Sequence, residues 1–250
     1  MCGIVGYIGK RKAYPILIKG LHRLEYRGYD SAGMALVCED GQIQVTKCAG
    51  KVAKLRAVCD RQNAGDGKKK ALSGIGHTRW ATHGGVTNEN AHPHTCGKVT
   101  LVHNGIIENF QELTATYELE EKLISQTDTE VVAALLDLFY EGDPKDAIRK
   151  TVSLLKGTFA LGILFADIPD TIFAIRNVSP IIAGVGKDGG EAFLASDVTA
   201  LSEYVSEYFV VPEYTLTIVE PGKITLLDDE DKKVEPDFLQ VDWKLGGNGK

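Results

Sequence analysis

Met1-Cys2-Gly3-Ile4-Val5-Gly6 opens the chain. A cysteine in second position becomes the first residue once the initiator methionine is removed, and a side chain that small permits the removal. The processed end then carries a thiol and a free α-amine on one residue. An α-amine titrates near ~7.7–8.0 and is partly neutral at cellular pH, so this nucleophile brings its own general base. No other position offers that pairing. A plainer reading is also open, in which Cys2 is a small buried residue at the start of a strand. The rest of the chain decides between them.

At 250 residues the chain can bury a substantial core, as one large domain or two small ones. Its formal charge of −6 argues against a general nucleic-acid binder. The apolar runs are too short to span a membrane, and Lys10, Arg11 and Lys12 interrupt the first of them too early for a signal peptide. Five cysteines, an odd count without regular spacing, fit free thiols in a reducing, cytoplasmic setting.

Cys2–Ile8, Ala32–Cys38 and Ile43–Lys47 read as strands, with a helix over Ala13–Leu24 placing Ile16, Leu17, Leu21 and Leu24 on one face, and another over Lys51–Arg61. The Gly- and Lys-rich stretch Asn63–Lys70 reads as an exposed loop. Gly74–His77 and Val99–His103 look like short core strands that run into polar loops. Helices follow over Leu113–Leu123, Thr129–Tyr140 and Lys145–Leu155, with Thr127 or Asp128 as a cap. Beyond Phe159 the helical period largely stops. Phe159–Phe165, Thr171–Ile175, Ile181–Val185, Ala192–Ala195, Tyr208–Val211, Thr215–Val219 and Lys223–Leu227 read as strands, with a short helix near Val198–Tyr204. The pattern predicts one α+β domain built on a large antiparallel sheet system, with a disordered Leu245–Lys250 tail.

Three polar clusters carry chemistry. In His77-Thr78-Arg79-Trp80-Ala81-Thr82-His83-Gly84 the arginine offers a planar fork suited to a carboxylate, with Thr82 and His83 as further hydrogen-bonding groups; a structural salt bridge for Arg79 is the alternative. In Val102-His103-Asn104-Gly105 a side-chain amide beside a glycine N–H suits an oxyanion hole. A type I′ hairpin turn competes for the Asn-Gly pair, although the helical reading of the following segment weakens it. In Thr127-Asp128-Thr129-Glu130 the acid group reads as helix capping, or as a site for an ammonium group.

These clusters, together with Cys2-Gly3-Ile4-Val5-Gly6, the run Arg23-Leu24-Glu25-Tyr26-Arg27-Gly28-Tyr29-Asp30-Ser31-Ala32-Gly33, Asn90-Ala91-His92-Pro93-His94 and Ile106-Ile107-Glu108-Asn109, occur in the order found in the class II glutamine amidotransferases, the N-terminal-nucleophile hydrolases. The sequence resembles most the glutaminase domains of the glucosamine-6-phosphate synthase branch of that family, over Cys2 to about Lys223. The landmarks Arg176 to Pro180 and Ala195-Ser196-Asp197 also fit. The resemblance implies an α+β fold, a four-layer αββα sandwich of two antiparallel sheets, over residues 2–240, with 241–250 as a disordered tail and the branch's sugar-phosphate isomerase domain absent.

Carried over by position, it implies Cys2 as nucleophile and its α-amine as base, with Asn104 and Gly105 holding the oxyanion. Arg79 would bind the glutamine α-carboxylate with support from Thr82 and His83, and Asp128 the α-amine with Gly105 close by. Trp80 would belong to a loop closing over substrate, and Arg27 would lie near the cysteine. L-Glutamine is the implied partner, and fructose-6-phosphate only through the missing isomerase domain. No cofactor, metal, nucleic acid or membrane is implied, and the oligomeric state stays open. One departure is Glu213-Tyr214-Thr215-Leu216, where the family tends to carry an acidic-Gly-acidic stretch.

Other readings carry less. His92, His94, Cys96 and His103 suggest zinc, yet two of them alternate across Pro93 and no paired C-x-x-C exists. Gly184 to Gly189 fits G-x-G-x-x-G, but a strand rather than a helix follows, which makes it a hairpin turn. His77, His83 and His103 invite a Cys-His dyad, which an N-terminal amine makes unnecessary. The glutaminase of another class II amidotransferase, or a non-catalytic glutamine-binding module, remain alternatives.

Overall fold

The computed structural model describes residues 2–38, 40–62 and 70–241. In chain order the elements are β1 (Gly3–Ile8), α1 (Ala13–Arg23), β2 (Ser31–Cys38), β3 (Ile43–Ala49), α2 (Val52–Gln62), β4 (Ala71–Arg79), β5 (His94–Cys96), β6 (Val99–Ile107), α3 (Phe110–Thr116), α4 (Asp128–Phe139), α5 (Pro144–Leu154), β7 (Gly157–Phe165), β8 (Ile172–Asn177), β9 (Ile182–Val185), β10 (Ala192–Ala195), β11 (Glu207–Val210), β12 (Leu216–Glu220), β13 (Lys223–Leu227) and β14 (Leu239–Gln240). The strands form an eight-stranded sheet, β14-β11-β9-β10-β1-β4-β2-β3, and a six-stranded sheet, β13-β12-β8-β7-β6-β5. Neighbouring strands pair antiparallel throughout.

Side-chain alternation turns these sheets into four layers. β1 sends Val5 and Tyr7 to one face, where Leu17 and Leu21 of α1 and Leu55 of α2 cover them. Its other face carries Ile4 and Ile8, which meet Val102, Ala160 and Ala174 of the second sheet. β6 does the reverse work in that sheet: Leu101 packs under Val132 and Leu135 of α4, with Ile148 of α5 in the same cluster, while Val102 faces inward. Strands buried on both faces must be apolar almost continuously, which is why β1, β2 and β7 lack an alternating polar pattern. The αββα sandwich expected from the sequence is the architecture observed.

The helix starts have physical causes. Thr127 caps α4, its hydroxyl accepting the Glu130 N–H at 3.3 Å, and the Glu130 carboxylate reaches back to the N–H groups of Ile124 and Ser125 at 3.1 and 2.6 Å. Asp143 caps α5 ahead of Pro144 in its first turn.

Two expectations need correction. The helix predicted over Leu113–Leu123 stops at Thr116, because Glu118 takes a left-handed conformation at φ 53°, and only a short 3₁₀ turn, Glu120–Lys122, follows. The strand predicted to end at His103 runs on to Ile107, so Asn104-Gly105 lies inside β6, neither in a hairpin turn nor at a strand end. The short strands β5 and β14 carry too little apolar pattern to read. The Gly184–Gly189 stretch does connect two antiparallel strands, β9 and β10. The loop expected over residues 63–70 falls almost entirely outside the described residues, as does the Leu245–Lys250 tail.

Candidate active site

Four elements end at one mouth of the sandwich. Cys2 immediately precedes β1 and shares the parity of inward-facing Ile4. Arg79 closes β4, Asn104 and Gly105 belong to β6, and Asp128 opens α4. The pairing of Gly3 with Thr78 brings the start of β1 level with the end of β4. Residues distant in sequence therefore meet because two sheets expose adjoining strand ends.

The Cys2 thiol lies against the backbone of Trp80, with the Trp80 N–H donating to Sγ at 3.2 Å and the Trp80 carbonyl 3.5 Å away. Burial pushes the thiol pKa up, with the Trp80 N–H and the charge of Arg79 partly offsetting it. At neutral pH the group is a thiol, and attack on a carbonyl requires a base. Among the described residues no histidine ring is hydrogen-bonded to Sγ.

Asn104 is buried, with both ends of its amide engaged. Its Nδ2 donates to the Cys2 carbonyl at 3.0 Å, and its Oδ1 accepts from His77 Nε2 at 3.0 Å. Gly105 follows with φ +129°, and a Cβ there would lie 2.1 Å from the Thr158 carbonyl oxygen of β7. That combination admits only glycine.

Arg79 is buried, and its guanidinium donates to the backbone carbonyls of Gly85, at 3.1 Å, and His83. It therefore organises the loop after β4 from inside. The same loop is pinned from outside by Asp30, which accepts the Ala81 N–H at 2.9 Å, and by Asn90, which donates to Gly85 O at 3.0 Å and accepts the Gln126 N–H at 2.9 Å. Asp128 accepts the Ile107 N–H at 2.8 Å. His83 sets its ring edge-on against Phe110, with centroids 5.7 Å apart, and Thr82 Oγ1 lies 3.4 Å from His83 Nδ1. Trp80 is half-exposed, edge-on to Tyr29.

Two cavities adjoin at Cys2. The wider, about 300 Å³, is lined by Cys2, Trp80, Thr82, Asn104 and Gly105 together with Arg27, Ser179, Pro180 and Ser196. The narrower, about 20 Å³, is lined by Cys2, Arg79, Trp80, Thr82, His83, Gly105 and Asp128. Every residue that the sequence offered for a glutamine site, namely Cys2, Arg27, Arg79, Trp80, Thr82, His83, Asn104, Gly105 and Asp128, lines one or the other, whereas His77, His94 and Cys96 of the dyad and zinc readings line neither. Arg27 is ion-paired to Asp197 at 2.5 Å. Asp30, Asn90 and Gln126 were not singled out as site residues, since loop-bracing polar groups carry no spacing signature. His92 and His94, half of the zinc reading, are buried with hydroxyl partners on Thr129 and Thr127 at 3.4 and 3.1 Å. Among the described residues no three His, Cys, Asp or Glu side chains are grouped to hold a metal ion, and no helix is long and apolar enough to cross a membrane.

Residues 77–203, half of the chain and the part that carries the Arg79, Asn104 and Asp128 clusters, match the model of the glutamine amidotransferase domain, and the chain belongs to that family. Its curated relatives include the glutamine–fructose-6-phosphate aminotransferases (isomerizing) of Symbiobacterium thermophilum, 45% identical over 98% of this chain and 40% of that protein, and of Staphylococcus aureus, 46% identical over 95% of this chain and 39% of that protein. The chain thus spans about 40% of the length of these relatives. Among solved structures it superposes on the glutamine phosphoribosylpyrophosphate amidotransferase from B. subtilis with a TM-score of 0.72, at 24% identity over 97% of this chain and 50% of that one. A second, described as the allosteric regulatory enzyme of purine biosynthesis, gives 0.71 at 26% identity over the same shares. The fold is that of the N-terminal-nucleophile amidotransferases.

Proposed function

We propose that this chain hydrolyses the side-chain amide of L-glutamine to glutamate and ammonia, with Cys2 as the nucleophile. The observation that carries the reading is the place of the Cys2 thiol, between the Asn104-Gly105 donor pair and the opposite charges of Arg79 and Asp128. With Met1 removed, the α-amine of Cys2 takes the thiol proton. Sulfur then attacks the amide carbon, and the carbonyl electron pair moves onto oxygen, where Asn104 Nδ2 and the Gly105 N–H stabilise it. When the intermediate collapses, the C–N bond breaks, nitrogen takes the proton held by the α-ammonium, and ammonia leaves a γ-glutamyl thioester. Water adds to that thioester, the C–S bond breaks, and glutamate and the thiol are released. Arg79 and Asp128, reading the α-carboxylate and α-ammonium, would select free glutamine over a peptide.

Residues 2–240 form the catalytic unit in this reading. Relatives 45–46% identical are named glutamine–fructose-6-phosphate aminotransferases and are more than twice as long. We therefore assign the ammonia to fructose-6-phosphate amination, carried out by a further isomerase domain, in the cytoplasm.

The test is covalent. An electrophilic glutamine analogue should label Cys2 and spare Cys38, Cys48, Cys59 and Cys96, two of which are buried. Cys2→Ala should abolish glutamate release while glutamine binding persists. Labelling spread across several cysteines overturns the assignment.

A further inference from the structure

We infer that His77 is the positioning residue that fixes which end of the Asn104 amide faces the nucleophile; the inference rests on the glutaminase reading above. His77 sits on β4, the strand between β1 and β2, and its ring reaches across to β6. Nε2 lies 2.9 Å from the His103 carbonyl oxygen and 3.0 Å from Asn104 Oδ1. A backbone carbonyl only accepts, so Nε2 carries the proton. Nδ1 is buried with no hydrogen-bond partner among the described residues, as suits the bare nitrogen of the neutral ring. The ring is held in plane by stacking on His92, with centroids 4.1 Å apart.

The tautomer then dictates the amide. With Nε2 donating, the group of Asn104 that faces it must be the oxygen, which turns Nδ2 toward Cys2. In the flipped amide, Oδ1 would oppose the Cys2 carbonyl oxygen at about that 3.0 Å separation, and Nδ2 would oppose an N–H. The opposed dipoles of the flipped state are what His77 excludes. The His103 carbonyl therefore sets the imidazole tautomer, the imidazole sets the amide, and the amide presents its donor where an oxyanion forms. Burial supports the same state, because it drives the His77 pKa down to about 3 and keeps the ring neutral.

The experiment uses the full chain with Cys2 as its first residue. His77→Leu should lower kcat for glutamine by about 10–10²-fold with KM nearly unchanged, short of the about 10²–10³-fold expected for loss of the oxyanion donor itself. His77→Gln, whose Nε2 can donate from nearly the same place, should recover most of that loss. In an Asn104→Ala background His77→Leu should cost nothing further, since the group it orients is gone. A long-range ¹H–¹⁵N correlation spectrum of the parent should show His77 protonated on Nε2, and the Asn104 side-chain proton bonded to the Cys2 carbonyl should exchange slowly with solvent.

An Nδ1-protonated ring, fast exchange of both Asn104 amide protons, or an equal loss of kcat in the Asn104→Ala background overturns the role of His77. Failure of the parent to release glutamate overturns the glutaminase reading instead, and the two spectroscopic readouts still decide the inference. If His77→Leu does not fold, His77→Gln and the parent spectrum carry the test.

Discussion

Asn104 Nδ2 donates to the carbonyl oxygen of Cys2 at 3.0 Å. The residue proposed to stabilise the oxyanion is thus tied to the backbone of the residue proposed to attack. An amide nitrogen carries two N–H groups, so one can hold Cys2 while the other faces the cavity. Nucleophile and donor consequently keep a fixed separation, and the geometry does not depend on a flexible side chain finding its place.

Asn104→Ala should lower kcat by about 10²–10³-fold with little change in KM, the usual consequence of losing one oxyanion donor. Steady-state kinetics on glutamine decide it. A raised KM with kcat intact would make Asn104 a binding residue.

Gly105→Ala should be both inactive and destabilised. The left-handed φ alone costs roughly 1–3 kcal/mol for a residue with a Cβ, and here the added carbon would also lie 2.1 Å from Thr158 O. Gly142 makes a control, with φ +101° and nothing among the described residues within 4 Å of an added Cβ. Urea unfolding should therefore show a distinctly larger loss for Gly105→Ala than for Gly142→Ala. Equal losses would mean that β6 and β7 yield locally at no cost.

The layers were legible because each strand buries both faces, leaving apolar runs such as Gly3–Ile8 and Phe159–Phe165 that no helix periodicity explains. The site was legible because its groups sit in long polar clusters that interrupt the apolar runs along the chain. Asn104-Gly105 misled on structure, since the strongest short hairpin signal here lies within a strand. Pairing with β7 through Gly105–Phe159 and Ile107–Gly157 overrides the local turn preference. The His77–Asn104 contact was invisible for a different reason: register between two sheets, rather than spacing along one, brings the pair together.

Arg79→Lys should raise KM for glutamine despite the retained charge. A guanidinium can hold the His83 and Gly85 carbonyls and still present further N–H groups, whereas an ammonium has three donors from one point. The substitution should therefore loosen the loop as well as the carboxylate contact. Unchanged KM would show that the α-carboxylate is held elsewhere.

Acid should destabilise the fold from an unusually high pH. Burial holds His77 at about 3, His92 and His94 well below the ordinary histidine value, and His103 below it as well. Above about 6.5 these rings are neutral in both folded and unfolded chains, and the stability tied to them is fully present. As pH falls through 6.5 the unfolded chain takes up protons that the native chain refuses. Each histidine then removes about 1.4 kcal/mol per pH unit until its folded pKa is reached. Urea midpoints should fall between about pH 6.5 and 5, with net proton uptake on unfolding. A flat profile over that window would mean the rings are solvated in the native state.

The α-amine makes the sharpest forecast. Burial raises the pKa of the Cys2 thiol, and among the described residues no imidazole is bonded to Sγ, so the base must come from elsewhere. The amine of Cys2 itself is within reach by covalent geometry, and its ordinary pKa of about 7.7–8.0 suits the task. Any residue left ahead of Cys2 converts that amine into an amide, which has no basicity near neutral pH. A form that keeps Met1, or carries an N-terminal tag, should fold normally and turn over glutamine almost not at all. Cleavage back to Cys2 should restore the activity, and a tag placed after Lys250 should leave it intact, because every proposed site residue lies at or before Asp128. A mechanism in which His77, His83 or His103 serves as base makes the opposite forecast. Two of those rings, His77 and His103, are kept neutral by burial yet bonded to carbonyl, amide and hydroxyl groups, and retention of Met1 would not disturb them. Turnover of the two N-terminal forms, compared at matched circular dichroism, separates the mechanisms. Full activity in the extended form would end the case for the amine.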